Sequence, residues 1–354
     1  MITNHRNRFV ENFEYVRNKA MRAIASLRNK IRGSLRNHVS FRPLIRLFDS
    51  HILPILDYGS EVWYKGSEIR DIEQVQLWFL KSSLGIKTQS SNLIVYGDTG
   101  RFPLLLRQQD TVLKYWDRLR KMNKSTPLYK VYSDLRELHN MGHKTWYTRL
   151  VEIFNSFECI NLNSDGDPID SSTDEPIKSI YLITKELRYK HFINDYFHRI
   201  NDTTLNPLLR TYKRFKTSPR CEPYLLVPLN HKYRRAICQL RASSHHLGIE
   251  LGRHTTPTTP LEKRLCCYCS SNSIDDEFHF VTQYSYTTQE RKTLLSNLPP
   301  HIIRLSNNQL FLYLLNSKDE HSIKEFGKYI YTSFLKRSLA DDALANSSTH
   351  HTHV

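Results

Sequence analysis

Cys266 and Cys269 stand in the run Arg264-Leu-Cys-Cys-Tyr-Cys269, and His279 follows ten residues later. Two thiolates at this spacing can grip one zinc ion from a tight knuckle, and an imidazole nitrogen can supply a third ligand. A structural zinc takes four. Cys267, adjacent to Cys266, would need awkward geometry, and no other donor stands at an obvious place. Three ligands and a water describe a catalytic zinc, yet Glu277 two residues before His279 is not the His-Glu-x-x-His arrangement. Buried thiols beside a core histidine account for the same residues equally well.

A second pattern interleaves rings with cations. Tyr212-Lys-Arg-Phe215-Lys216 and Tyr233-Arg-Arg235 pair the residue types that nucleic-acid sites use. Lys and Arg meet phosphates, and aromatic rings stack on unpaired bases. The competing arrangement places Tyr212, Phe215 and Tyr233 in the core with the cations outside. Ser243-Ser-His-His246 invites a hydrolase reading, but no nucleophile elbow and no positioned acid accompany it, so a loop is expected there.

The charge is localised in the same way. The 354 residues carry a formal net charge of +16. Residues 1–50 hold 11 Lys/Arg against 3 Asp/Glu, residues 206–255 hold 10 against 2, and the rest of the chain is balanced. Two concentrated basic windows point to a polyanionic partner, with a pair of solvated helical faces as the alternative. No apolar run approaches the ~18 residues needed to span a bilayer, and no secretory signal is visible at the N-terminus. The 6 cysteines, three of them packed into 266–269, do not look like a disulfide framework. An intracellular protein, of nucleus or cytoplasm, is expected.

These residues must be positioned by helices. Glycine is only 11 of 354, about half the usual frequency of ~7%, which disfavours all-β architectures. Val16, Ala20, Ile24, Leu27 and Ile31 recur at three- and four-residue spacing and predict a helix over 8–32 that carries Arg17 and Arg28 on other faces. Further helices are expected at 41–58 (bent near Pro54), 68–84, 103–121, 125–138, 143–155, 178–201, 276–296, 308–317 and 319–339. The segment 96–103 reads as a turn, with Pro103 at the first helical position. Residues 156–177 hold six acidic residues and no basic one, the pattern of a linker. The tail 343–354 is expected to be disordered. The predicted organisation is all-α: a helical region 1–155, the linker 156–177, a basic helical region 178–255, and a C-terminal region 256–354 holding the cysteine knuckle.

The combined motifs resemble a family. His51-Ile-Leu-Pro-Ile-Leu-Asp-Tyr-Gly-Ser-Glu-Val-Trp63 and Val95-Tyr-Gly-Asp-Thr-Gly-Arg-Phe-Pro-Leu104 resemble the stretch after the polymerase palm in LINE-type (non-LTR) retrotransposon reverse transcriptases. Leu240-Arg-Ala-Ser-Ser-His-His-Leu-Gly-Ile-Glu-Leu-Gly-Arg253 resembles the block before their terminal zinc knuckle. Cys266-x-x-Cys269 with Asp276-Glu-Phe-His-Phe280 resembles the knuckle itself. The resemblance runs from the thumb region to the C-terminus. Two departures stand out. The family's knuckle is Cys-Cys-His-Cys, and its last cysteine falls where Tyr284 stands, so a weakened or lost zinc site is expected. The catalytic palm has no counterpart; it and the endonuclease domain would lie upstream of residue 1. Leu339-Ala-Asp-Asp342 mimics the palm motif but follows a helical pattern and has no partner aspartate motif, whereas two-metal chemistry needs carboxylates from separate segments.

The resemblance implies a non-catalytic remnant that holds RNA or an RNA/DNA duplex, largely without sequence preference. Arg17, Arg28, Arg234, Arg235 and Arg241 are the expected backbone contacts, Tyr212 and Phe215 the stacking rings, and Cys266, Cys269 and His279 the zinc ligands. The rival readings are an inert or structural helical protein from a decayed element, and the C-terminal part of a polymerase whose palm is encoded upstream.

Overall fold

The computed structural model describes residues 10–31, 40–63, 70–156, 160–163, 168–170 and 180–349. It is predominantly α-helical, as the periodicities require. Helix α1 (Val10–Ile31) buries Phe13, Val16, Ala20 and Ile24 on one stripe. α2 (Phe41–Leu47) passes through a wider turn at Phe48–Ile52 into α3 (Leu53–Asp57), where Pro54 opens the first turn. α4 (Ser60–Trp63) precedes α5 (Arg70–Leu84), which buries Ile72, Val75, Leu80 and Leu84 and ends on Gly85 at positive φ.

The segment 96–103 differs from expectation. α6 (Asn92–Thr99) continues through Thr99, capped at its start by the Ser91 hydroxyl and at its end by Gly100 in the left-handed conformation. A Cβ at Gly100 would lie 2.5 Å from the Cys221 amide nitrogen, so only glycine fits. Pro103 sits one position before α7 (Leu104–Arg120), not within it. Glu73 accepts from the first amide of α7 at 2.6 Å, covering an N–H that the helix leaves open.

α8 (Pro127–Asn140) and α9 (Trp146–Asn155) complete a cluster with α7 in which Trp116, Tyr132, Tyr147, Leu150 and Phe154 are buried. Trp116 stands edge-on to Phe154 and donates its indole N–H to the Tyr132 hydroxyl at 3.2 Å. Within the acidic stretch, β1 (Ile160–Leu162) and β2 (Pro168–Asp170) pair antiparallel; the rest of that linker beyond Ser156 and Asn163 falls outside the described residues. α10 (Ile180–Asn201) buries Tyr196 and Ile200, and its Arg188 is buried against Asp110.

The C-terminal half contains α11 (Pro223–Leu226), α12 (His231–Arg241), α13 (Gly248–Leu251), α14 (Glu277–Thr282), α15 (Thr288–Ser296), α16 (Pro300–Ile303), α17 (Asn307–Asn316) and α18 (Glu320–Thr349). The helix expected at 276–296 is broken between Thr282 and Thr288. The segment 343–349, expected to be disordered, continues α18. α12 packs closely on α18 because Gly327 leaves room: a Cβ there would lie 3.0 Å from the Tyr233 Cβ.

The chain divides into two units. One comprises 1–27, 47–77 and 102–198; the other comprises 28–46, 78–101 and 199–354. The divisions at 27, 77 and 198 fall inside helices. No described helix is long and apolar enough to cross a membrane.

Candidate metal centre and candidate nucleic-acid interface

The chain around Cys266 folds back on itself. Leu265 bridges to Ile274, and the Cys266 amide donates to the Ser273 carbonyl at 2.9 Å. This turn brings the two thiols together, and α14 presents His279 beside them. One donor atom from each of Cys266, Cys269 and His279 lies within 4.8 Å of the others. Zn–S bonds of ~2.3 Å at a tetrahedral angle put ligand atoms ~3.8 Å apart, so a small contraction would enclose an ion. His279 is buried, and neither ring nitrogen has a hydrogen-bond partner. A buried imidazole without partners is costly unless something accepts its lone pair. The donor set therefore fits a soft cation such as zinc.

The thiols differ. Burial pushes Cys266 up to about 12. Burial also raises Cys269, but the Ser285 hydroxyl at 3.1 Å and amide at 3.2 Å donate to its sulfur and bring the group below its ordinary value. Tyr284, at the family's last-cysteine position, is fully buried and its hydroxyl has no partner. Its ring lies 5.6 Å from the Arg337 guanidinium of α18, which also pairs with Asp275 at 2.9 Å. Cys267 is exposed.

The second basic window requires a correction. Arg241, Arg234, Tyr212 and Phe215, expected to meet nucleic acid, are all buried. Arg241 is 1% exposed and forks onto Asp98, with Nε to Oδ2 at 2.7 Å and Nη2 to Oδ1 at 2.8 Å. It also meets Glu222 at 3.1 Å and the Leu315 carbonyl at 2.6 Å. The hydroxyls of Tyr212 and Tyr224 donate to the two Asp98 oxygens at 2.8 and 2.7 Å. The Phe215 ring lies 4.5 Å from the Arg241 guanidinium. Cations and rings do pair as the sequence suggests, but with each other inside the core. Burial alone would raise Asp98; Arg241 and Lys216 hold it below the ordinary carboxylate range. Arg234 lies on the inward face of α12, where burial lowers its guanidinium.

A second carboxylate organises the Ser243–His246 loop. Glu277 accepts from Arg210 at 2.8 and 2.9 Å, Thr211 at 2.9 Å, Ser243 at 3.1 Å and His245 Nε2 at 3.0 Å. The other His245 nitrogen accepts from the Leu247 amide at 3.3 Å. Ser243 and His245 thus both address Glu277 rather than one another, and the loop is structural. Asp98 and Glu222 were not singled out from sequence, and Glu277 was weighed only beside the cysteine knuckle. The Gly-Asp-Thr-Gly run and the Asp-Glu-Phe-His run were the signals that could have marked two of them.

Of the ten cations in 206–255, Lys213, Arg214, Arg220, Lys232 and Arg235 remain exposed. The Lys232 ammonium lies 5.1 Å from the Tyr233 ring and 4.8 Å from the half-exposed Tyr331 ring of α18. Arg235, one turn on, lays its side chain over Gly85. In the first window Arg17 is exposed, while Arg28 is half-buried with its guanidinium 4.2 Å over Trp78. Leu339, Ala340, Asp341 and Asp342 lie in α18, where Asp341 accepts from the Tyr268 hydroxyl.

Comparison with protein families, with curated proteins and with solved structures gives no match to this chain.

Proposed function

We propose that the chain is a non-catalytic, zinc-stabilised nucleic-acid-binding protein of the kind formed by the thumb-to-knuckle region of LINE-type reverse transcriptases. The observation that carries this reading is the outer edge of α12 against α18. There Lys232 stands beside the Tyr233 and Tyr331 rings, and Arg235, one helical turn on, lies exposed over Gly85. Exposed cations next to accessible rings suit a single strand, with phosphates on the cations and bases on the rings. In the knuckle, Cys266, Cys269 and His279 would hold zinc, with Tyr284 or water completing the set. The metal would fix the 265–285 turn against α18 and supply no reaction chemistry.

The test is fluorescence anisotropy with a single-stranded RNA at several salt concentrations. Lys232→Ala with Arg235→Ala removes two phosphate contacts and should flatten the slope of log K against log[salt] by about 1.4. An unchanged slope and affinity overturn the assignment of this face. Binding no stronger than that of any cation-rich surface favours the inert helical protein.

A further inference from the structure

A cavity of about 400 Å³ opens beside the start of α6, lined from the segments 87–91, 205–208, 243–245 and 250–254. Its volume lies in the range of small-molecule sites. One wall is apolar, formed by Leu205, Pro207 and Leu251; Leu205 is 80% exposed. The opposite wall is polar. Lys87 is exposed there and pairs with no carboxylate. Ser90 is only 6% exposed, lies on the cavity wall, and its hydroxyl makes no hydrogen bond within the protein. Ser91, the N-cap of α6, lies on the same wall, which brings the positive end of that helix to the cavity.

The charge balance selects an anion. The one carboxylate on the wall, Glu250, is fully occupied: Oε1 by Arg210 at 2.6 Å and Oε2 by Arg253 at 3.0 Å. Arg253 and His254 form the rim, and the positive charges of Arg210 and Arg264 crowd Arg253. A Ser90 hydroxyl without a protein partner, an exposed ammonium and a helix N-terminus are together the donors a phosphate group takes.

We propose that this cavity seats a nucleoside monophosphate unit, its phosphate against Lys87, Ser90 and the first turn of α6 and its ring against Leu205, Pro207 and Leu251. The unit comes either from a free mononucleotide or from the phosphorylated end of a strand. The site is separate from the α12 face, so its failure and the failure of the proposed function are distinguishable.

The full chain is titrated calorimetrically with AMP, adenosine and inorganic phosphate. AMP should bind with 1:1 stoichiometry and more tightly than either part. Lys87→Glu should weaken AMP by at least about tenfold, the loss of one charge-assisted contact, and leave adenosine unchanged. Leu205→Ser should weaken adenosine and AMP and leave phosphate unchanged. Both side chains are exposed, so neither variant threatens the fold. Lys232→Ala with Arg235→Ala should leave AMP binding intact. A short oligonucleotide with and without a 5′-phosphate separates the sources. A phosphate-dependent gain that Lys87→Glu erases assigns the strand end, whereas AMP binding without such a gain assigns the free nucleotide. Absence of saturable AMP binding, or AMP affinity indifferent to both Lys87→Glu and Ser90→Ala, overturns the proposal.

Discussion

Arg241 separates two accounts of the basic window, because one makes it a phosphate contact and the other a core residue. Consider Arg241→Ala. The substitution removes both forks onto Asp98, the contact with Glu222 and the donor to the Leu315 carbonyl. Asp98 keeps its two tyrosine hydroxyls and the 4.0 Å approach of Lys216, but a fully buried carboxylate has lost its main countercharge. Breaking a buried pair from one side costs about 3–5 kcal/mol. At roughly 2–4 °C per kcal/mol for a unit of this size, the melting midpoint should fall by about 10 °C. Asp98→Ala should cost a similar amount, and the double variant less than the two together, because each single change orphans the other's partner. Arg241→Lys should fall between, since an ammonium keeps the charge but loses the fork and the stacking on Phe215. The assays are circular-dichroism melting and RNA anisotropy well below the transition. A variant that melts like the parent but binds RNA tenfold more weakly would refute the burial argument and return Arg241 to the surface role.

Two further outcomes follow from the same groups. Burial would raise Glu277, but His245 and Arg210 hold it far below the ordinary carboxylate value of 4.5. A depressed folded pKa gives stability that is complete above the unfolded value and lost as pH falls. Urea midpoints should therefore drop from about pH 5 downward, and Glu277→Gln should lower stability at pH 7 while flattening that acid limb; a parallel limb in the variant assigns the acid sensitivity elsewhere. For the knuckle, a chelator should lower the melting midpoint and elemental analysis should find about one zinc per chain. Cys269→Ser should abolish both responses, and a parent protein free of zinc and indifferent to the chelator would show that the His279 pocket holds no metal.

Helix positions were legible in the sequence wherever the apolar stripe was long. Residues 16–24 and 72–84 show the required spacing and are buried as that spacing demands. The helix 92–99 was hidden because Gly97 lies within its last turn and Gly100 directly follows it, and glycines so close together read as a turn. Gly100 is in fact its C-cap. The extension of α18 past residue 343 was hidden by Ser and Thr, which favour caps and turns in isolation. The triad Cys266, Cys269 and His279 was legible because its spacing is itself the geometric constraint. The buried role of Arg241 was not, since its partner Asp98 lies 143 residues away. Counting charges by window treats each cation as solvated until a carboxylate appears nearby in sequence, and here Asp98 and Glu277 arrive from other segments.

This distance has a consequence for how the fold is specified. Burying Asp98 with Arg241, and Glu277 with Arg210 and His245, costs desolvation that Coulomb attraction only partly returns. Such pairs are weak sources of stability, but they are exacting about register. Arg241 satisfies its fork only when α6 supplies Asp98, and its remaining nitrogen only when α17 brings the Leu315 carbonyl to 2.6 Å. Glu277 likewise closes its bonds only when residues 210–211, 243–245 and α14 meet. The sequence blocks 95–101, 240–253 and 275–280 are therefore halves of one another's hydrogen-bond inventories. Their most specific residues face inward, which leaves any nucleic-acid contact to the less distinctive cations on the outer turns, Lys232 and Arg235 foremost.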